Sequence, residues 1–214
     1  MRPLRIEGFY AICDLPGEAG PEEARQLATK LLRGGASVLQ LRQKDASSRR
    51  LLANASLLVD LCRGAGVPFI VNDRVDVAVL VAADGVHLGQ EDLPLRAVRS
   101  LAPTLAVGVS THTLEQAEEA LREGADYIGF GPVFPTSTKK RPDPVVGLEK
   151  LAEVCQRVSV PVVAIGGITA ANAARVMEAG AAAVAVIGDV VSADDPEGAA
   201  RRVAQAALQG RGPR

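Results

Sequence analysis

Eight times along this chain a short apolar run gives way to a turn and then to a more polar segment. The runs occupy residues 9–13, 37–41, 68–71, 85–88, 105–109, 127–130, 162–165 and 183–187. They do not alternate apolar with polar, which is the pattern of strands buried on both faces of a parallel sheet. Helical spacing follows most of them. One helix opens at Pro21, with Glu22 and Glu23 in its first turn, and stops at Gly34-Gly35. Others are expected over 47–63, 95–101, 114–122, 148–157, 170–178 and 196–208. Three helix-to-strand joints resemble one another, at Gly34-Gly35-Ala36-Ser37-Val38, Gly124-Ala125-Asp126-Tyr127-Ile128 and Gly180-Ala181-Ala182-Ala183-Val184. Eight strand–helix units in 214 residues predict a single-domain α/β fold, a (β/α)8 TIM barrel spanning 1–214. Its core would cover about 9–208, with terminal extensions at 1–8 and 209–214. An open doubly wound sheet is the alternative, weakened because no GxGxxG follows the first strand.

Bulk properties exclude several classes of function. A formal net charge of −1 points to neither a nucleic-acid nor a membrane-surface partner. Aromatic residues make up 3% of the chain, too few for a surface that stacks single-stranded bases. Cys13, Cys62 and Cys155 are far apart in apolar surroundings, so neither a disulfide framework nor a zinc site is expected, and a reducing cytoplasm is the simple setting. Met1 to Arg5 is basic, but no apolar signal core follows, and no apolar run approaches a membrane span. With two histidines, a histidine-based metal cluster is not expected.

A barrel brings all its strand ends to one rim, and that rim carries the chemistry. On the second strand, Gln40, Arg42 and Lys44 alternate and so share one side. A guanidinium fork beside an ammonium point charge suits a diphosphate. The third strand ends in Asn72-Asp73, and Asp92 follows the fourth. Either aspartate could cap a helix; together, facing the cations, they look like two carboxylates for Mg²⁺. Asp14, Asp84, Glu91 and Asp189 also stand near strand boundaries, so the pairing is not unique. Ser110 ends the fifth strand. After the sixth, a loop containing Thr136, Ser137, Thr138, Lys139 and Lys140 offers hydroxyls and ammonium groups to a phosphate. A solvated surface loop would have the same composition, but this one shares its rim with the groups above. Gly166-Gly167 and Ile187-Gly188 end the last two strands, where barrels commonly grip a monophosphate with backbone N–H groups. His87, inside a strand, is expected to be a buried, hydrogen-bonded histidine, and His112 is a weak acid/base candidate.

The segments Gln40-Leu41-Arg42-Gln43-Lys44, Val71-Asn72-Asp73, His87-Leu88-Gly89-Gln90-Glu91-Asp92, Gly108-Val109-Ser110-Thr111-His112-Thr113, Gly129 to Lys140 and Ala164-Ile165-Gly166-Gly167-Ile168 resemble the thiamine-phosphate synthase family. The likeness runs from about Tyr10 to Ala204. It implies a (β/α)8 barrel that joins hydroxymethylpyrimidine diphosphate to a thiazole ethyl phosphate, or its carboxylated precursor, giving thiamine phosphate and pyrophosphate with Mg²⁺. By that resemblance, Gln40, Leu41, Arg42, Gln43, Lys44, Asn72, Ser110 and Lys139 would hold the pyrimidine diphosphate. Asp73 and Asp92 would hold Mg²⁺, and Thr136, Ser137, Thr138, Gly167, Ile187 and Gly188 the thiazole phosphate. Arg42, Lys44, Ser110 and Lys139 would be the catalytic set. Some members carry Ser where Gly188 stands, and the Arg141-Pro142-Asp143-Pro144 stretch is individual to this chain. The loop from Pro132 to Val146 is the expected lid. Two other readings compete. A thiazole tautomerase of a related barrel would use His112 as proton carrier and would not need the diphosphate set; a non-catalytic phosphate-binding barrel would retain ligand without releasing pyrophosphate. The sequence leaves the oligomeric state open, a homodimer included. On this reading Lys139→Ala collapses turnover while circular dichroism and the melting temperature stay close to those of the parent; unchanged turnover would count against the diphosphate site.

Overall fold

Strands buried on both faces need helices outside and side chains filling the space inside. A computed structural model of the chain, which describes residues 4–136 and 143–211, meets both needs with a closed parallel barrel in the order β1 to β8. The strands are β1 (Gly8–Asp14), β2 (Val38–Arg42), β3 (Phe69–Asn72), β4 (Gly85–Leu88), β5 (Ala106–Thr111), β6 (Tyr127–Phe130), β7 (Val162–Ile165) and β8 (Ala183–Val186). The connecting helices are α1 (Pro21–Arg33), α2 (Ser48–Ala65), α3 (Val75–Leu80), α4 (Leu95–Leu101), α5 (Leu114–Arg122), α6 (Gly147–Arg157) and α7 (Ala173–Glu178), and α8 (Gly188–Val191) and α9 (Pro196–Gln209) follow β8. The open-sheet alternative is thereby excluded, because β8 pairs in parallel with β1 through Gly8↔Ala183 to Ala11↔Val186. No helix among the described residues is long and apolar enough to cross a membrane.

Local signals account for the element ends. At α1, Pro21 sits in the first turn and the Glu23 carboxylate accepts the N–H of Gly20 at 2.6 Å. At α2, Ser47 caps the N-terminus, and the chain leaves at Gly66 in the left-handed region, φ 69°. Helix α3, left without bounds by the sequence, is a two-turn segment with Val75, Val77 and Ala78 buried. Helix α7 starts at Ala173 rather than Ala170, because the Asn172 side chain accepts the N–H of Thr169 and holds 169–172 as a turn.

Strand alternation divides the apolar residues into two cores. Leu39, Leu41, Phe69, Val71, Val86, Leu88, Val107, Ile128 and Phe130 pack outward against the helices. Tyr10, Ile12, Val38, Ile70, Tyr127, Val163, Ala183 and Ala185 fill the barrel interior, where Ile6, just before β1, joins them. At the N-terminal rim two aspartates continue the ladder with their side chains. Asp84 accepts the N–H of Phe69 at 2.8 Å, and Asp126 accepts that of Val107 at 2.7 Å. Arg99 spans Asp126 and the carbonyls of Leu105 and Gly124, so these polar groups are consumed by structure.

Interior packing sets a sharp limit at Gly108. A Cβ there would lie 2.1 Å from Cζ of the Tyr127 ring, so the glycine makes room for the tyrosine. Gly108→Ala is expected to cost at least about 1–3 kcal/mol of stability by overpacking, read as a lower urea midpoint with an unchanged slope.

Candidate active site

Parallel register decides which side chains of the β2 segment reach the C-terminal rim. Gln40 pairs with Ile12 on β1 and Ile70 on β3, and its side chain is buried in the interior. Arg42, two residues on, is half-buried and its Nη1 lies 2.6 Å from Oδ1 of Asp14 at the end of β1. Lys44 continues the same side and places Nζ 3.6 Å from Oδ2 of Asp73. Leu41 and Gln43, expected among the diphosphate contacts, commit their side chains elsewhere. Leu41 belongs to the core under the helices. Gln43 donates to the carbonyls of Pro16 (2.7 Å) and Ala19 (2.9 Å) and accepts from Asn54 Nδ2 (2.9 Å), tying the β1–α1 loop to α2. Any contact of these two with a ligand therefore falls to their backbone.

Two carboxylates meet beside Lys44. Neither caps a helix: Arg74 and Pro94 occupy the N-cap positions of α3 and α4, with no side-chain cap bond at either. Asp73 follows half-buried Asn72 with φ 63°, a left-handed conformation that Asp tolerates better than most residues, and its N–H is held at 2.8 Å by the carbonyl of His87. Asp92 accepts the N–H of Gly89 at 2.6 Å, which folds its carboxylate back toward β4. Burial first, and then the charge of Asp92, push the Asp73 carboxyl above the ordinary carboxylate range; Lys44 only partly offsets them. A crowded pair of acidic oxygens is a donor set that fits Mg²⁺, which takes one or two carboxylates and fills its remaining positions with phosphate oxygens and water. Among the described residues no group of three or more acidic, histidine or cysteine side chains assembles as a metal site.

Ser110 is the last residue but one of β5, which runs one residue past it to Thr111, with Oγ 2.9 Å from Nε2 of His87 and its carbonyl receiving Gln90 Nε2 at 2.6 Å. His87 is hydrogen-bonded inside the barrel as expected, and burial depresses its pKa to about 4. His112 stands apart from Ser110. Its Nδ1 lies 2.5 Å from the carbonyl of Gly131, its Nε2 3.5 Å from Asp143, and its N–H donates to Gln116. This ring ties the end of β5 to both flanks of the loop after β6. Of that loop, Thr136 is half-buried, while Ser137, Thr138, Lys139 and Lys140 lie outside the described residues, as do Arg141 and Pro142.

The loops after β6, β7 and β8 interlock. Val133 donates to the carbonyl of Ile165 (2.9 Å) and Phe134 to that of Gly166 (3.0 Å). Gly166 and Gly167 have φ of 98° and 64°, and a Cβ on Gly167 would sit 2.4 Å from the carbonyl oxygen of Pro135, so only glycine fits under this loop. Asn172, which the sequence did not single out, donates to the carbonyl of Gly167 at 3.0 Å. Asp189 accepts from the N–H of Ala170 at 3.1 Å and joins the last two loops. Gly188 opens α8, and a Cβ there would meet nothing within 4 Å, so the space a serine would fill is open. Gln40, Arg42, Lys44, Asn72, Asp73, Asp92 and Ser110 thus come from strands β2 to β5 at one rim, and Thr136, Gly167, Ile187 and Gly188 follow around it on the loops after β6, β7 and β8.

Residues 9–190 match the family profile described as thiamine monophosphate synthase. A thiamine-phosphate synthase from Chloroflexus aurantiacus is 54% identical over 195 residues, covering 91% of this chain and 90% of that one. Another, from Methanocella arvoryzae, is 52% identical over 191 residues, covering 87% and 90%. A solved structure of a thiamine phosphate pyrophosphorylase from Pyrococcus furiosus aligns with a TM-score of 0.87 at 38% identity, over 97% of this chain and 98% of that one. A 3-hexulose-6-phosphate synthase shares the barrel at a TM-score of 0.68 and 19% identity, over 93% and 99%.

Because the Asp73 carboxyl is raised on folding, the metal-free protein loses stability as pH rises through its folded pKa and the group ionises; below the unfolded pKa there is nothing to lose. Asp73→Asn is therefore expected to raise the melting temperature in EDTA at about pH 8, with the gain shrinking toward about pH 3.5, near the unfolded carboxylate value. A lower melting temperature at both pH values would mean that the Lys44 pairing outweighs the repulsion.

Proposed function

The chain belongs to the thiamine monophosphate synthase family, and from that premise we propose that it condenses a hydroxymethylpyrimidine diphosphate with a thiazole ethyl phosphate, or its carboxylated precursor, to thiamine phosphate and pyrophosphate. The observation that carries this reading is that Lys44 lies 3.6 Å from Asp73, beside Asp92, at the barrel end where Arg42 pairs with Asp14.

The chemistry asks little of a protein nucleophile. The bond between the pyrimidine methylene and the bridging diphosphate oxygen breaks, its electron pair leaving with pyrophosphate. The electron-rich aminopyrimidine carries the positive charge on the methylene, and the thiazole nitrogen lone pair closes the new C–N bond. The protein must stabilise charge on the departing diphosphate and hold two phosphorylated molecules in line. Arg42 offers a fork and Lys44 a point charge to the diphosphate. Ser110 adds a hydroxyl, and Lys139 a further cation by resemblance. Held by Asp73 and Asp92, Mg²⁺ would supply Lewis-acid neutralisation of the diphosphate. Backbone N–H groups at Gly167 and Gly188, with Thr136, Ser137 and Thr138, would take the thiazole phosphate. The isomerase reading needs His112 as proton carrier, and that ring is already held between Gly131 and Asp143.

Incubating the purified chain with both substrates and Mg²⁺ is expected to yield thiamine phosphate and pyrophosphate in equal amounts, with neither formed in EDTA. Arg42→Ala should lower kcat/KM by roughly a hundredfold or more. Isomerised thiazole phosphate without pyrophosphate, or ligand retention without any product, would overturn the assignment.

A further inference from the structure

Four hydrogen bonds cross the inside of the barrel in series. Gln40 Nε2 lies 2.9 Å from the Tyr10 hydroxyl, and the Tyr10 and Tyr127 hydroxyls are 2.9 Å apart. The Tyr127 hydroxyl lies 3.1 Å from His87 Nδ1, and His87 Nε2 lies 2.9 Å from Ser110 Oγ. The two ends, Gln40 and Ser110, are residues that the family resemblance sets against the pyrimidine diphosphate of the proposed function. The three groups between them have no part in that mechanism, and all are buried or half-buried.

The series has a direction. An amide nitrogen can only donate, so Tyr10 accepts from Gln40. The only other partner of the Tyr10 hydroxyl among the described residues is the Tyr127 hydroxyl, so its proton goes there. Tyr127 then gives its own proton to His87 Nδ1. A neutral imidazole that accepts at Nδ1 carries its hydrogen on Nε2, and from there it donates to Ser110 Oγ. Ser110, accepting from within, keeps its own hydroxyl proton to give outward. Gln40, with its nitrogen turned in, keeps its Oε1 as an acceptor. Both ends then match the substrate of the proposed function: a donor for the oxygen that gains charge and an acceptor for an aromatic amine. Turning the Gln40 amide over would reverse every bond, commit the Ser110 proton to His87 and present a donor to the amine.

We propose that Tyr10, Tyr127 and His87 are positioning residues, a one-way hydrogen-bond series that fixes the Nε2–H tautomer of His87 and reserves the Ser110 proton for the leaving diphosphate. This rests on the proposed function for its ligand and on the barrel interior for its polarity. The series acts mainly when charge develops on the leaving group, because Arg42 and Lys44 hold the ground-state diphosphate with or without it.

The test reads both parts separately. With two histidines in the chain, the ring nitrogens of His87 are assigned by nitrogen-15 NMR of histidine-labelled protein with His87→Gln as the reference. The expected wild-type signature at neutral pH is hydrogen on Nε2 and a bare Nδ1; hydrogen on Nδ1 overturns the proposal. Tyr127→Phe keeps the ring and cuts the series. It is expected to release His87 into a mixture of tautomers and to lower kcat roughly tenfold while KM for the pyrimidine diphosphate changes less than about twofold. Unchanged kcat, or a fall in kcat with the His87 tautomer intact, makes these residues packing groups and overturns it. Tyr10→Phe cuts the series one bond earlier and serves the same reading if Tyr127→Phe does not fold. A wild-type protein that makes no thiamine phosphate sinks the proposed function, whereas the tautomer still decides the direction of the series.

Discussion

Closure of the ladder from β8 back to β1 is the constraint on which the rest depends. A closed sheet has no free edge, and each strand residue faces either the interior or the helices. A slip of one residue would exchange those faces along a whole strand. The pairing of Ile12 with Gln40 and of Cys13 with Leu41 therefore does more than stabilise β1 and β2. It sends an amide into the barrel interior and a leucine outward under the helices. The same alternation sets Arg42 at the end of the strand on Gln40's side, and Lys44 follows in the turn beyond, so five consecutive residues give one interior amide, two rim cations and two structural side chains.

Inside that closed surface, polar and apolar packing are solved together. Two tyrosines occupy an interior that small residues leave room for: Gly108 beneath the Tyr127 ring, Ala183 and Ala185 elsewhere in the layer. Burial pushes both phenols up, so both stay protonated and able to donate. Each hydroxyl has two partners in the series, and so the cost of drying a phenol is offset by satisfied bonds rather than by solvent. The barrel filling thereby connects the buried Gln40 amide to Ser110 near the rim.

The fold was legible in the sequence because each strand is a short apolar run bounded by turn residues, a local pattern that a single chain records well. Side-chain rim positions such as Arg42, Asp73, Asp92 and Ser110 were legible for the same reason, since they stand at the ends of those runs. What escaped was non-local. The Gln43 side chain could have served the rim by its place next to Arg42; its partners Pro16, Ala19 and Asn54 are more than ten residues away in sequence, and nothing local announces them. Tyr10 and Tyr127 stood only as members of apolar strand runs, and the meeting of β1 with β6 across the interior turns them into a polar pair separated by 117 residues. Asn172 looked like part of a helix, but its side chain forms the turn that precedes it.

The rim's own charge explains why these groups belong together. Around Asp73, Arg42 and Lys44 stand against Asp14, Asp73 and Asp92, while Arg74, next along the chain, is taken by Asp76. A diphosphate entering that cluster by itself would bring like charge to like, and at the low effective dielectric of a half-buried site such contacts cost several kcal/mol. The raised Asp73 carboxyl is the same conflict seen from the protein's side: burial and Asp92 already make its ionised form expensive, and Lys44 does not cancel them. A divalent cation between the two aspartates would reverse the sign of the site and free Lys44 from being their only counter-ion. On the proposed function, the crowded carboxylate pair would be relieved by a cation arriving together with an anionic ligand, which is the demand that a diphosphate leaving group makes.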